Sequence, residues 1–277
     1  MNTTAVFKII KSVTAFSIVL LLLCCGGGGG SGGGAKQESV SRTIDYSVLY
    51  STVDSITVNV AYEPNAEPYA GYSPDFPDLQ YWSVLDMNLQ ALFHGRILEP
   101  KFFVPKDLSE MEKIQQSNQK SWNIDQIVEL ANKVWDISET QENAEFYVLF
   151  LNGYLNDGFT LRKDVTGESL GRTPVIAIFK GIIAESPLSL FDNSIFEQET
   201  LVHEIGHSMG LVNNGIPMIS DHEDPEHRRH CTVHNCVMGW KYEWGQVSAF
   251  SEQFISTGSV MMFCDKCIAD TSGYLTY

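Results

Sequence analysis

Six of the seven histidines fall between positions 203 and 234, and two of them stand four residues apart in the run His203-Glu204-Ile205-Gly206-His207. No other feature restricts the chain so tightly. On an α-helix, side chains at i and i+4 sit one above the other on one face. Phe196, Leu201, Val202, Ile205 and Met209 recur at helical spacing around the pair, so 196–210 reads as a helix with one side in a core, capped by Asp192 or Ser194. Gly210 predicts a left-handed helix end, and Asn213-Asn214-Gly215 with Pro217 prevents the helix from running on. The fold must bury this helix, keep its two imidazoles together and turn the chain back toward them.

Two imidazoles one turn apart can share a zinc ion at about 2.0–2.1 Å. Glu204, next to the first of them, is then placed to face the open coordination position and act as general base in the hydrolysis of a peptide bond. A third ligand must come from the returning chain, and His230, His222 and His227 all qualify on distance along the chain. Asp221, Asp224 or Glu226 is the expected partner orienting a ligand ring. His234 reads as a loop residue. Trp240, Tyr242 and Trp244 read as core or pocket wall, with Tyr242 a candidate donor to an oxyanion.

The rest of the chain is patterned for a mixed α/β (α+β) domain. Ser55 to Tyr62 alternates and is rich in β-branched residues, which predicts a strand. Phe146–Leu151 and Pro174–Phe179 are short apolar runs of β-formers and predict buried strands. Ser83–Phe93 and Asn123–Trp135 carry helical stripes, the second capped by Ser121 or Asn123. The prolines between Tyr62 and Pro77 predict packed turns. The expected order is strand, helix, helix, strand, strand, metal helix, then an irregular tail. A twisted mixed sheet is expected to pack on the metal helix.

With these residues in place, the chain resembles the metzincin superfamily of zinc peptidases, whose motif runs H-E-x-x-H-x-x-G-x-x-H and is followed by a Met-turn. His203, Glu204, His207 and Gly210 match, whereas the eleventh position is Asn213. The tail is similar to the archaemetzincin branch: His230-Cys231, Cys236, Met238 two residues on, and a distant Cys264-Asp265-Lys266-Cys267. Relative to that pattern, an insertion of some 17 residues precedes His230. The resemblance implies a metzincin-like zincin fold, His230 as third ligand, Met238 as the Met-turn residue, and a second, structural zinc on Cys231, Cys236, Cys264 and Cys267. The spacing of the four cysteines fits a tetrahedral zinc site, whereas an oxidising compartment argues for two disulfides, and both readings stand at this point.

That compartment is suggested by the N-terminus. Lys8 and Lys11 precede an apolar run, Val13 to Leu23, of 11 residues, shorter than the roughly 20 of a membrane span. Cys24 and Cys25 follow, and then a glycine-rich tether. The arrangement resembles a bacterial lipoprotein signal, which implies lipidation at Cys25, or alternatively Cys24, and a membrane-anchored, exported protein. The expected organisation is a signal at 1–25, a linker at 26–42 and a zinc metallopeptidase domain at 43–277. The net charge is −16, and the signal contributes only cations, so the remainder is more acidic still. That charge excludes nucleic acid as a partner. A protein or peptide substrate is expected. The competing reading is a non-catalytic zinc-binding surface lipoprotein.

Overall fold

β1 (Ser55–Tyr62) is the centre of the architecture, and its burial alternates along its first residues as its sequence does. In the computed structural model, which describes residues 42–96, 98–135, 137, 143–185, 193–240 and 256–274, β1 pairs in parallel along its whole length with β5 (Asn143–Leu151). Before β1 comes a single helical turn, α1 (Tyr46–Leu49), and after it α2 (Tyr81–Phe93), β2 (Lys101–Phe103), β3 (Glu112–Lys113), β4 (Ser121–Trp122) and α3 (Ile124–Val134). Beyond β5 lie β6 (Tyr154–Asn156), β7 (Leu161–Arg162), β8 (Gly167–Ser169), β9 (Val175–Phe179), α4 (Lys180–Glu185), α5 (Asn193–Ser208) and α6 (Asp265–Gly273).

The main sheet runs β2-β1-β5-β9-β8, with β3 also on β1. Every pairing in it is parallel except β8, which lies antiparallel on β9. A small second sheet runs β4-β6-β7. The main sheet is covered on both faces, as parallel sheets are. Phe146, Val148 and Phe150 of β5 and Ile176 and Ile178 of β9 point into one core with α2 and α5. Tyr147, Leu149 and Leu151, with Val175, Ala177 and Phe179, point into another, against Ile127 and Ala131 of α3. Period-2 alternation thus sorts one run of nine residues into two cores.

The fold is mixed α/β with a mixed sheet, as the pattern leads one to expect, and α5, which carries His203 and His207, packs on that sheet. Several details differ. α2 starts at Tyr81 because the Gln80 side chain accepts the Ser83 N–H at 2.7 Å and caps it. Asn123, not Ser121, caps α3, in a reciprocal box with Gln126. Ser194 is not a cap: it lies inside α5, which begins at Asn193. The tail is not wholly irregular, since α6 begins directly after Cys264. The expected signal, linker and lipidation sites Cys24 and Cys25 lie outside the described residues, as do Asp192, Tyr242 and Trp244. The described residues cluster as one unit. No helix among the described residues is long and apolar enough to cross a membrane.

Candidate metal centre

α5 is buried on all sides from Ser194 to Ser208. Polar residues in such a helix must each find a partner. Glu197 takes the Tyr69 N–H at 2.7 Å and an ion pair from Lys180. Thr200 meets Thr166 at 3.3 Å. Glu204 takes the Ser169 N–H of β8 on Oε2 at 2.7 Å. This close approach depends on Gly167, where a Cβ would lie 2.8 Å from Glu204 Cγ and 2.8 Å from Thr200 Cγ2. The helix is therefore laid against β8 at the point where the Glu204 carboxylate takes its N–H.

The helix ends as Gly210 implies. The Gly210 φ is +82°, its N–H donates to the His207 carbonyl at 3.0 Å, and the Leu211 N–H donates to the Gly206 carbonyl at 3.2 Å. These two bonds form a Schellman turn. Val212 and Asn213 follow with φ of 51° and 62°, a left-handed conformation that is costly for β-branched Val212. Asn214 Nδ2 donates back to the His207 carbonyl at 2.9 Å. The ring of Tyr46 in α1 lies against Gly210 and Gly215, so both glycines are needed for close approach.

The returning chain brings His230 to the pair. Ring centroids are 4.6 Å apart for His203–His207, 5.4 Å for His203–His230 and 5.0 Å for His207–His230. All three are buried, and one nitrogen from each lies within 4.8 Å of the others. His203 Nε2 and His207 Nε2 are 3.0 Å apart. Tetrahedral ligands at about 2.0–2.1 Å from an ion would stand about 3.4 Å apart, so the donor set fits a divalent ion. The backbone orients the rings from behind. His203 Nδ1 is 2.6 Å from the Val237 carbonyl, and His230 Nδ1 is 3.1 Å from the Arg228 carbonyl. With Nδ1–H donating, each Nε2 presents its lone pair to the centre. A cleft of about 380 Å³ opens on the site, lined by Glu204, His207, His230 and β8.

The other candidate ligands go elsewhere. His222 Nε2 pairs with Asp270 Oδ2 at 2.7 Å, and its Nδ1 is 3.2 Å from Cys231 Sγ. His227 bonds Asp224 at 3.2 Å and stacks on Trp240 with centroids 3.8 Å apart. Neither belongs to the three-histidine group. Asp224 therefore serves His227, and the groups behind the His203 and His230 rings are backbone carbonyls that no sequence pattern announces. His234 is exposed, with its Nδ1 2.6 Å from Oδ1 of its neighbour Asn235.

Met238 packs directly under the helix, where a Cβ at Gly206 would overlap its sulfur. The four tail cysteines form a second group. Each is a free thiol, with Cys231 Sγ 3.8 Å from Cys264 Sγ and Cys236 Sγ 3.5 Å from Cys267 Sγ. Tetrahedral sulfurs at about 2.3 Å from an ion stand about 3.8 Å apart. Their arrangement fits a metal ion. Without one, the sulfurs share protons: a hydrogen bond from Cys236 brings the Cys231 thiol down to about 7, and the bond to Cys231 pushes Cys236 up. Asp270 is the residue that sequence reasoning missed. It lies 48 positions from His222, in a helix that carries little amphipathic signal. No known protein family, curated relative or solved structure matches this chain.

Proposed function

We propose that the chain is a zinc-dependent peptidase of metzincin-like architecture, nearest the archaemetzincin pattern, exported and held at a membrane by an N-terminal lipid. The observation that carries the reading is the meeting of three buried imidazoles, two of which, His207 and His230, line one cleft together with the Glu204 carboxylate. A carboxylate beside an open ion position suits a hydrolase, whereas a metal store has no use for one. When bound, a zinc ion supplies a water whose pKa is near 7 and a Lewis acid for a carbonyl oxygen. Cys231, Cys236, Cys264 and Cys267 are read as holding a second, structural zinc.

Glu204 takes a proton from the attacking water as the new C–O bond forms, and hands it to the departing amine as the C–N bond breaks. The Ser169 N–H holds this carboxylate in place. The wall of the cleft is β8, the last strand of the sheet among the described residues. An extended peptide could pair along it through backbone hydrogen bonds and present its scissile carbonyl to the histidines. Buried His203, with Nδ1 on the Val237 carbonyl, keeps one tautomer throughout.

The test is Glu204→Gln, which preserves shape and removes the base. With casein or a quenched peptide library, turnover is expected to fall by about 10²–10⁴ while metal content stays at the wild-type value. Undiminished turnover at full metal loading refutes the mechanism. A wild-type chain that binds several zinc ions weakly and cleaves nothing favours the non-catalytic zinc-binding surface protein.

A further inference from the structure

His222 lies in the insertion between the Schellman turn and His230, and it is a ligand in neither group. Its side chain is nonetheless 0% exposed, against an Asp270 side chain that is 1% exposed. A buried ring of this kind is costly unless both nitrogens are bonded. Here both are: Nδ1 is 3.2 Å from Cys231 Sγ, and Nε2 is 2.7 Å from Asp270 Oδ2. The remaining Asp270 oxygen accepts the Ile219 N–H at 2.7 Å, which fixes the carboxylate. The backbone agrees, since Glu223 pairs antiparallel with Cys231 and the Thr232 N–H donates to the His222 carbonyl at 2.8 Å.

The proton inventory sets the direction of the sulfur contact. A cysteine that holds a metal is a thiolate and has no proton to give. His222 Nδ1 must then be the donor, the 2.7 Å contact between Nε2 and Asp270 Oδ2 holds a second proton between them, and the Nδ1–H would draw charge from a thiolate that holds a divalent cation. Asp270 stands behind the ring on α6, the helix that follows Cys264 and carries Cys267. The imidazole thus ties the insertion, Cys231 and α6 to one another.

We propose that His222 is a positioning residue which, by donating Nδ1–H to Cys231 with Asp270 behind it, holds the four-sulfur site ready for its ion and, through the His230–Cys231 peptide, sets how tightly the three-histidine site binds. The proposal rests on the reading of the four thiols as a metal site. The path between the two centres is short. The Cys231 N–H donates to the Met238 carbonyl at 2.7 Å, the Val237 carbonyl meets His203 Nδ1 at 2.6 Å, and Met238 fills the space under Gly206. A shift of Cys231 moves His230 by one peptide bond and disturbs the carbonyl behind His203.

The test uses the full chain loaded with cobalt(II), whose thiolate charge-transfer band reports the sulfur site, and a chelating dye that competes for the ion at each centre. In His222→Ala the band is expected to move to lower energy, because the sulfur becomes a better donor. The sulfur site is expected to lose about 10–100-fold in affinity, and the histidine site is expected to weaken by a smaller factor. His222→Asn, whose amide N–H can replace Nδ1–H, is expected to restore the band, whereas His222→Leu, which only fills space, is expected to behave like alanine. A band and affinities indifferent to these changes overturn the proposal. Should Ala and Leu at 222 not fold, Asp270→Asn is read instead: a smaller shift in the same direction supports the proposal and an unmoved band overturns it. A wild-type chain that takes up no thiolate-bound cobalt because its cysteines are paired overturns the metal reading as well. A normal wild-type band that ignores position 222 overturns the proposal alone.

Discussion

Replacing Gly206 by alanine sets two effects of known size against each other. Gly206 sits in α5 between the two histidines, and alanine there gains about 1 kcal/mol of helix propensity. The added Cβ would overlap the Met238 sulfur and come within 3.1 Å of Phe263 Cε1 and 3.3 Å of Met238 Cε. Inserting a methyl into a filled core costs about 1–3 kcal/mol. The net expectation is a chain less stable by up to about 2 kcal/mol. Metal affinity should fall further than that figure suggests. Displacement of Met238 acts next to Val237, whose carbonyl is 2.6 Å from His203 Nδ1, and loss of such an orienting contact costs about 10–100-fold. Urea denaturation and a metal-competition titration on the full chain measure the two effects. The decisive comparison is the Met238→Ala background. With the sulfur gone, the same glycine-to-alanine change should cost less, since only the 3.1 Å approach to Phe263 Cε1 then opposes the gain of about 1 kcal/mol in helix propensity. A change of the same sign and size in both backgrounds refutes the reasoning.

Asn88 joins α2 to the segment that leads into Cys264. Its amide donates to the Val260 carbonyl at 2.7 Å and accepts the Met262 N–H at 2.8 Å. Asn88→Ala leaves both buried backbone groups without that partner and should lower stability by about 2–4 kcal/mol, read by denaturant midpoint. Asp45 caps α1, and its carboxylate is held below the usual range by the Ser47 hydroxyl first, then by the Val48 and Ser47 N–H groups. Because its folded pKa is lowered, its contribution is complete above the ordinary aspartate pKa of about 4 and fades as pH falls through the lower folded value. Asp45→Ala should cost about 1 kcal/mol at neutral pH, and the difference from wild type should close in acid. A constant gap down to strongly acidic pH speaks against the cap.

How much of this was legible in the sequence depends on whether the deciding contact is local. β1 could be read to the residue because alternation along one strand needs no knowledge of its partner. His203, Glu204, His207 and Gly210 were legible for the same reason, each acting within one or two helical turns. Spacing alone left His222, His227 and His230 equal, since a looping chain can return any of them, and it was the resemblance that singled out His230. β8 was not legible: Gly167-Glu168-Ser169 has no apolar alternation, and its role comes from a backbone N–H and from a glycine that admits Glu204. Asp270 was hidden by distance along the chain, and α6 by the cysteines that interrupt its pattern.

The backbone at Asn213 bears on how such sites change through descent. This is the eleventh position of an H-E-x-x-H-x-x-G-x-x-H spacing counted from His203, where a third imidazole would fall in the compact form of the pattern. Here the residue is exposed, in a left-handed conformation, with its amide reaching toward Glu223 at 3.5 Å. A histidine grafted at that position would point off the molecule rather than toward the pair on α5. Placing a third imidazole at that position therefore takes a different course of the main chain after Gly210, and not a side-chain replacement alone.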